Sequence, residues 1–430
     1  MPDLVVRPDS NTTGLRKTTL DNGLTVLSEF APGVRSVAVG AWVRSASVHE
    51  PPAQMGVSHC LEHLVFKGTR SMGPREIAIS IEQLGGSLDA YTARDHTAFQ
   101  ARMLDEHLDE AVRVIGELLF HPALRESDLK LEKKVILEEI GSVEDAPDDL
   151  VFELHNAALW GGSPFGWPIL GTRETLKAMK IADVRALHDR AYRPELIVVA
   201  AAGNMDHDRL LQSLEKAGWN DIPAGGTLPV LPTPPSPGDP VRQLHKRDGS
   251  QVHLVMGSRA IANADPRRHA FALVSLVLGD GMSSRLFQRV REDLGLAYSV
   301  STFQDFHVGA GVHGVYLGTA PDTADKAEAV VREELARIAG EGLPVEELQL
   351  AKQQLKGQVT LSMEGVSSRM YRAAATELYG RPWRDVDAVL AEIEAVDLAL
   401  VREVCEDFFT PDRQTVVRLG PRSARARNPL

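Results

Sequence analysis

Seven prolines crowd into residues 221–240, DIPAGGTLPVLPTPPSPGDP: Pro223, Pro229, Pro232, Pro234, Pro235, Pro237 and Pro240. Proline has no backbone N–H and clashes with the preceding turn of a helix, so this window can form neither a helix nor a central strand. It reads as an extended, semi-rigid connector. The chain has 430 residues, more than one core usually supports. The connector divides it into an N-terminal domain at 1–220 and a C-terminal domain at 241–420, followed by a basic tail at 421–430.

Each half mixes strands and helices. LDNGLTV centres a hairpin on Asp21-Asn22-Gly23, and VRSVAVGAWV reads as the next strand. Helical patterns follow near 74–84, 105–119 and 126–145, then a strand, turn and helix in ELIVVAAAGNMDHDRLLQSLEKAG. In the second half QVHLVMGSRA reads as a strand, and RHAFALVSLVLGDGMSSRLFQRVRE as two helices separated by a glycine break. The fold class is α+β, and the two halves are candidates for a diverged duplication.

Charge and cysteine content narrow the functional classes. The net charge of −12 argues against nucleic acid or an anionic membrane as a general partner. Cys60 and Cys405 are the only cysteines, which implies no disulfide framework and a reducing compartment. The start, MPDLVVRPDSNTTG, lacks the charged and apolar regions of a secretory signal. No apolar run reaches the roughly 18 residues of a membrane span. The expected location is the cytoplasm.

Chemistry concentrates in GVSHCLEHLVFKGT, residues 56–69. On a helix, with His59 at 0°, Glu62 falls at about −60° and His63 at about +40°, so the three share one face. Two imidazoles at i and i+4 can hold a divalent ion with a carboxylate at proton-transfer distance, and zinc suits that ligand set. A buried helix with two satisfied histidines is the ordinary alternative. Chance alone gives about 0.06 matches per chain of this composition, so a third ligand is needed. In ESDLKLEKKVILEEIGSVEDAPDD, Glu132 and Glu139 are seven apart and lie about 20° from coincident on a helix. Glu138 points about 100° away from Glu139. By itself this stretch reads more readily as a solvated charged face.

His-x-x-Glu-His is the inverzincin order, and the chain resembles the pitrilysin/insulinase family of zinc metallopeptidases, in its shorter, processing-peptidase-like branch. The likeness runs through LDNGLTV, SHCLEHLVFKGT, GGSLDAYTARDHTAF, LEKKVILEEI, PILGT, YRPELIVVAAAGN, GMSSRLFQRVREDLGLAYSV and SSRMYRAAATEL. It implies two similar α/β-sandwich domains, antiparallel-rich sheets covered by helices, which close as a clamshell around a chamber on dimerisation. It implies peptide-bond hydrolysis of extended or unfolded peptides with one zinc per chain. Glu139 lies 76 residues (139 − 63) past His63, where the family places its third ligand. The metal set is then His59, His63 and Glu139, with Glu62 as general base and Glu132 supporting the site from one shell out. Asp89, Ala90 and Tyr91 match the substrate-binding edge strand, and Arg291 and Tyr298 match the pair that stabilises the oxyanion.

The chain departs from the family pattern twice. Asp89 stands where asparagine is usual. Cys60 replaces a bulky apolar residue, as a buried small hydrophobe or, in a sharper reading, a redox-sensitive thiol beside the metal. Longer relatives fuse two such units, with the zinc motif in the first and the Arg/Tyr pair in the second. Mapped here, that arrangement implies a homodimer whose protomers complete each other's sites. A paralogous partner subunit and a non-catalytic core subunit are the competing expectations.

Overall fold

The computed structural model describes residues 14–236 and 238–421. Pro237 and nearly all of the expected C-terminal tail lie outside the described residues. Among the described residues, eleven strands form two sheets. The first contains β1 (Leu15–Thr19), β2 (Thr25–Phe30), β3 (Ser36–Val43), β4 (Ser87–Thr92), β5 (Thr97–Leu104) and β6 (Ile197–Gly203), in the order β1-β2-β6-β3-β5-β4. The second contains β7 (Arg242–Lys246), β8 (Val252–Ala260), β9 (Ala297–Phe306), β10 (Gly311–Thr319) and β11 (Thr415–Gly420), in the order β7-β11-β8-β10-β9.

The two orders repeat one topology. In the first sheet β2 and β6 pair in parallel, and β6-β3, β3-β5 and β5-β4 are antiparallel. In the second β7 and β11 pair in parallel, and β11-β8, β8-β10 and β10-β9 are antiparallel. Five strands therefore correspond in order and in sense, which supports an internal duplication more directly than any residue repeat.

The compact units are not the contiguous halves expected from the prolines. Gly141–Trp167 belongs with the second unit and Leu361–Asp385 with the first. Each transferred segment carries one helix. The helix Val366–Leu378 packs on β6 and β3 of the first sheet, burying Val366, Met370, Ala373 and Ala374 against Leu27, Ala38, Trp42 and Val198. The helix Pro147–Trp160 packs on β11 and β8, the corresponding strands of the second sheet. A sheet needs apolar cover on both faces to be buried, and here each unit's second cover comes from the other half of the sequence.

On the opposite face of the first sheet lie α1 (Val57–Val65), α2 (Pro74–Glu82), α3 (Leu108–Phe120) and α4 (Glu126–Asp145), whose bounds fall close to the sequence periodicity. The expected second helix after the glycine break is different. Residues Phe287–Asp293 form a π-helical turn, a wide turn that often marks a functional position.

Candidate metal centre

The motif helix α1 buries Val57, Cys60, Leu61, Leu64 and Val65 in the first unit's core. That stripe turns the intervening His59, Glu62 and His63 towards the other face. Helix α4 buries Leu129, Glu132, Ile136 and Ile140 at helical spacing. Glu132 is thus a carboxylate in an otherwise apolar stripe, and Glu139 sits beside it with its side chain 39% exposed.

The two helices bring His59, His63 and Glu139 together, with one ligand atom from each lying within 4.8 Å of the others. His59 Nε2 is 3.8 Å from Glu139 Oε2, and His63 Nε2 is 3.6 Å from Glu139 Oε1. Glu132 Oε2 lies 3.1 Å from His63 Nδ1, and Lys67 Nζ forms an ion pair with Glu132 Oε1 at 2.9 Å. With a proton on Nδ1 donated to Glu132, His63 turns its Nε2 lone pair to the cluster. Burial, with the neighbouring His63, pushes His59 down to about 4, so it is neutral and able to ligate near pH 7. Glu139 Oε2 and His59 Nδ1 are buried without hydrogen-bond partners. Two imidazoles and a carboxyl group converging with an unsatisfied oxygen fit a divalent zinc ion.

Glu62 stays out of this cluster. Its Oε2 accepts from Thr92 Oγ1 at 2.5 Å. Burial holds its carboxyl above the usual range, opposed by the Thr92 hydrogen bond and the nearby His63. A carboxyl group raised in this way is a stronger proton acceptor than an ordinary one. Thr92 carries no motif signal. Its role depends on β4 lying beside α1, a contact that local periodicity does not reveal.

The strand β4 pairs only with β5 among the described residues and ends the first sheet. Its outer edge is therefore free to pair with an extended chain. Asp89 is exposed, and its Oδ1 accepts from Ala90 N at 2.9 Å. Ala90 packs against the core. Tyr91 is turned to the other face, where its hydroxyl accepts from Trp42 Nε1 at 3.3 Å and lies 3.2 Å from His96 Nε2. The edge of β4 thus presents backbone groups and the exposed Asp89 side chain.

Arg291 and Tyr298 come together in the second unit, in the π-helical turn and at the start of β9. Arg291 Nη1 donates to the Tyr298 carbonyl at 3.0 Å, and its guanidinium lies 4.7 Å from the Tyr298 ring centre. Tyr298 is 74% exposed. It is therefore not a core residue of its strand. Cys60 is fully buried, and burial raises its thiol to about 12. It is a small core residue with no reactive thiolate.

Among the described residues no helix is long and apolar enough to cross a membrane. Residues 25–173 match the model of the insulinase family, peptidase family M16, and residues 178–355 match the model of the peptidase M16 inactive domain. The chain is 36% identical to an uncharacterized zinc protease of Bacillus subtilis, across 93% of this chain and 96% of that one. It is 37% identical to an uncharacterized zinc protease of Streptomyces coelicolor, across 95% and 90%. A protease from Helicobacter pylori has the same fold, with a TM-score of 0.88, 20% identity and coverage of 95% and 99%. A peptidase M16 inactive domain from Pseudomonas fluorescens matches with a TM-score of 0.88, 20% identity and coverage of 95% and 98%. The His-x-x-Glu-His helix, its glutamate partner on α4 and these matches lead to one conclusion: the chain belongs to peptidase family M16, the insulinase family.

Proposed function

We propose that this protein is a zinc-dependent endopeptidase that hydrolyses extended or unfolded peptides within an enclosed chamber, in oligopeptide turnover or in removal of leader sequences. The observation that carries this reading is the separation of roles on α1. His59 and His63 join Glu139 in one cluster, while Glu62 is held aside by Thr92.

When bound, zinc supplies Lewis-acid polarisation of the scissile carbonyl and acidifies the attacking water. The chain's own groups do the rest. Glu62 takes the proton of the attacking water and passes it to the leaving amine. Glu132 orients His63 through Nδ1. The free edge of β4, at Asp89-Ala90-Tyr91, holds the substrate extended by main-chain hydrogen bonds. Tyr298, with Arg291 beside it, donates to the developing oxyanion. Because that pair belongs to the second unit, we propose a homodimer in which each copy's pair serves the other's metal centre. The separation of zinc motif and Arg/Tyr pair between the two units supports this reading.

The test is zinc content and cleavage of a quenched, unstructured peptide by the purified chain. One zinc per chain and chelator-sensitive cleavage are expected. A metal-free, inert chain after zinc supplementation would point instead to a non-catalytic core subunit or to one half of a heteromeric enzyme.

A further inference from the structure

The two histidine ligands are supported differently. His63 is held through its second ring nitrogen by Glu132 at 3.1 Å. His59 has no such support, since its Nδ1 is buried and unpartnered. The placement of that ring therefore depends on its backbone, which lies in the first turn of a nine-residue helix. First turns fray because their N–H groups have no partner within the helix. The residue in the capping position, Gly56, has no side chain with which to satisfy them.

Glu50 fills that gap from six residues upstream. It is 6% exposed, and its two oxygens accept from Gly56 N at 2.7 Å and Ser58 N at 2.8 Å. Its two carboxyl oxygens thus give two N–H groups at the helix start the partner that the helix itself lacks. Two further contacts hold the same point. Thr175 Oγ1 donates to the Met55 carbonyl at 2.9 Å. Gly56, at φ +87°, lies so close to Leu170 that an added Cβ would meet its carbonyl oxygen at 2.5 Å.

We propose that Glu50 is a positioning residue of the metal centre, clamping the start of α1 so that His59 stays in register with His63 and Glu139. The inference rests on the zinc reading above. Glu50 touches neither metal nor substrate and acts only through the backbone that carries His59. Its loss acts on metal affinity and ligand geometry before it acts on the fold.

Glu50→Gln is the direct probe, because the amide fills the same space but has only one oxygen to accept with. Zinc affinity is measured by chelator competition, and ligand geometry by the visible spectrum of the cobalt(II)-loaded protein. Asp206→Ala is the control. It removes the side chain that accepts from Arg209 N at 2.7 Å and caps the helix His207–Lys216 of the same unit. We expect Glu50→Gln to weaken zinc binding by about 10- to 100-fold, the range typical of outer-shell metal partners, with an altered cobalt spectrum. Asp206→Ala should lower the unfolding midpoint and leave both readouts at native values. Should Glu50→Gln not fold, Glu50→Asp, which keeps both carboxyl oxygens but shortens the reach, is measured in the same way. Native affinity and spectrum in a folded Glu50 variant would overturn the clamp, as would an equal loss in Asp206→Ala. A native chain that binds no zinc would overturn the zinc reading itself, a distinct result.

Discussion

A carboxylate between two metal ligands on one helix turn must be kept off the metal to serve as a base. For Glu62 the Thr92 hydroxyl provides the restraint. Glu62→Gln should therefore keep zinc at native stoichiometry while turnover falls about 10²- to 10⁴-fold, the usual contribution of a general base. His59→Ala, His63→Ala and Glu139→Ala should instead lose the metal. Metal analysis alongside peptide cleavage separates the two behaviours, and near-native turnover by Glu62→Gln would remove it from the mechanism. Glu132 lies between these classes. Glu132→Gln should keep the fold but weaken zinc binding about 10- to 100-fold, because His63 Nδ1 loses a charged acceptor. A chelator titration matching the native protein would show that the contact is incidental. Much of this was legible beforehand, since His59, Glu62 and His63 are set by helical angle alone. The family pattern selected Glu139 over Glu138. Glu50, Lys67 and Thr92 were not legible. Each acts through a contact made by folding, although the bare Gly56 at the start of α1 does signal that a cap must come from elsewhere.

Among the elements, the helix Pro147–Trp160 shows where periodicity falls short. Its buried positions, Val151, His155 and Trp160, do not indicate which sheet receives it, and the residues of Val366–Leu378 are equally silent on this. The π-helical turn at Phe287–Asp293 was equally hidden, because an α-helix and a π-turn draw on the same residue types. One property of the transferred helix is testable by acid. Its His155 is buried against β8, with Nε2 3.3 Å from the Gly257 carbonyl, and burial holds it down at about 4. On β10, His313 is buried beside Phe408 and is held at about 3 for the same reason. Both fold as neutral rings. Unfolding releases them to the ordinary value near 6.5, so below that pH the unfolded state binds protons that the native state refuses. Their contribution is complete above about pH 6.5 and is lost as pH falls towards 4, at about 1.4 kcal/mol per pH unit for each ring. Glu328 is depressed to about 2. Its contribution is present above its ordinary value of 4.5 and is lost only below that, so it leaves most of the window undisturbed. Urea midpoints from pH 7 to 4.5 should show a shallower decline in His155→Gln than in the native chain. Parallel declines would mean that this histidine does not govern acid stability.

At the scale of the whole molecule, the topology is repeated but, among the described residues, the metal set lies in one unit. In the second unit the helix before β9, Arg268–Gly279, reads RHAFALVSLVLG and contains no His-x-x-Glu-His. The exchange of helices also makes each half of the sequence incomplete. A fragment of residues 1–232 lacks Val366–Leu378 and would expose the apolar face formed by Leu27, Ala38, Trp42 and Val198. It should aggregate when expressed alone and become soluble when co-expressed with 233–430, which supplies that helix. A soluble, cooperatively unfolding 1–232 fragment would contradict this. The proposed composite site is a further consequence of the duplication, since the metal set lies on the first unit and Arg291 and Tyr298 on the second. In a two-fold dimer every contact occurs twice, so trans completion gives two equivalent sites. Mixing two inactive chains tests it. One carries Glu62→Gln, and the other carries Arg291→Ala with Tyr298→Phe. If the pair acts across protomers, one site of each mixed dimer combines an intact Glu62 with an intact Arg/Tyr pair, and the other site holds both defects. Random exchange makes half of the dimers mixed, so activity should return to about a quarter of the native value. Within-chain completion leaves every site with one defect and gives no recovery. Differently tagged chains that co-purify after mixing establish that exchange occurred, and silence under those conditions would end the trans model.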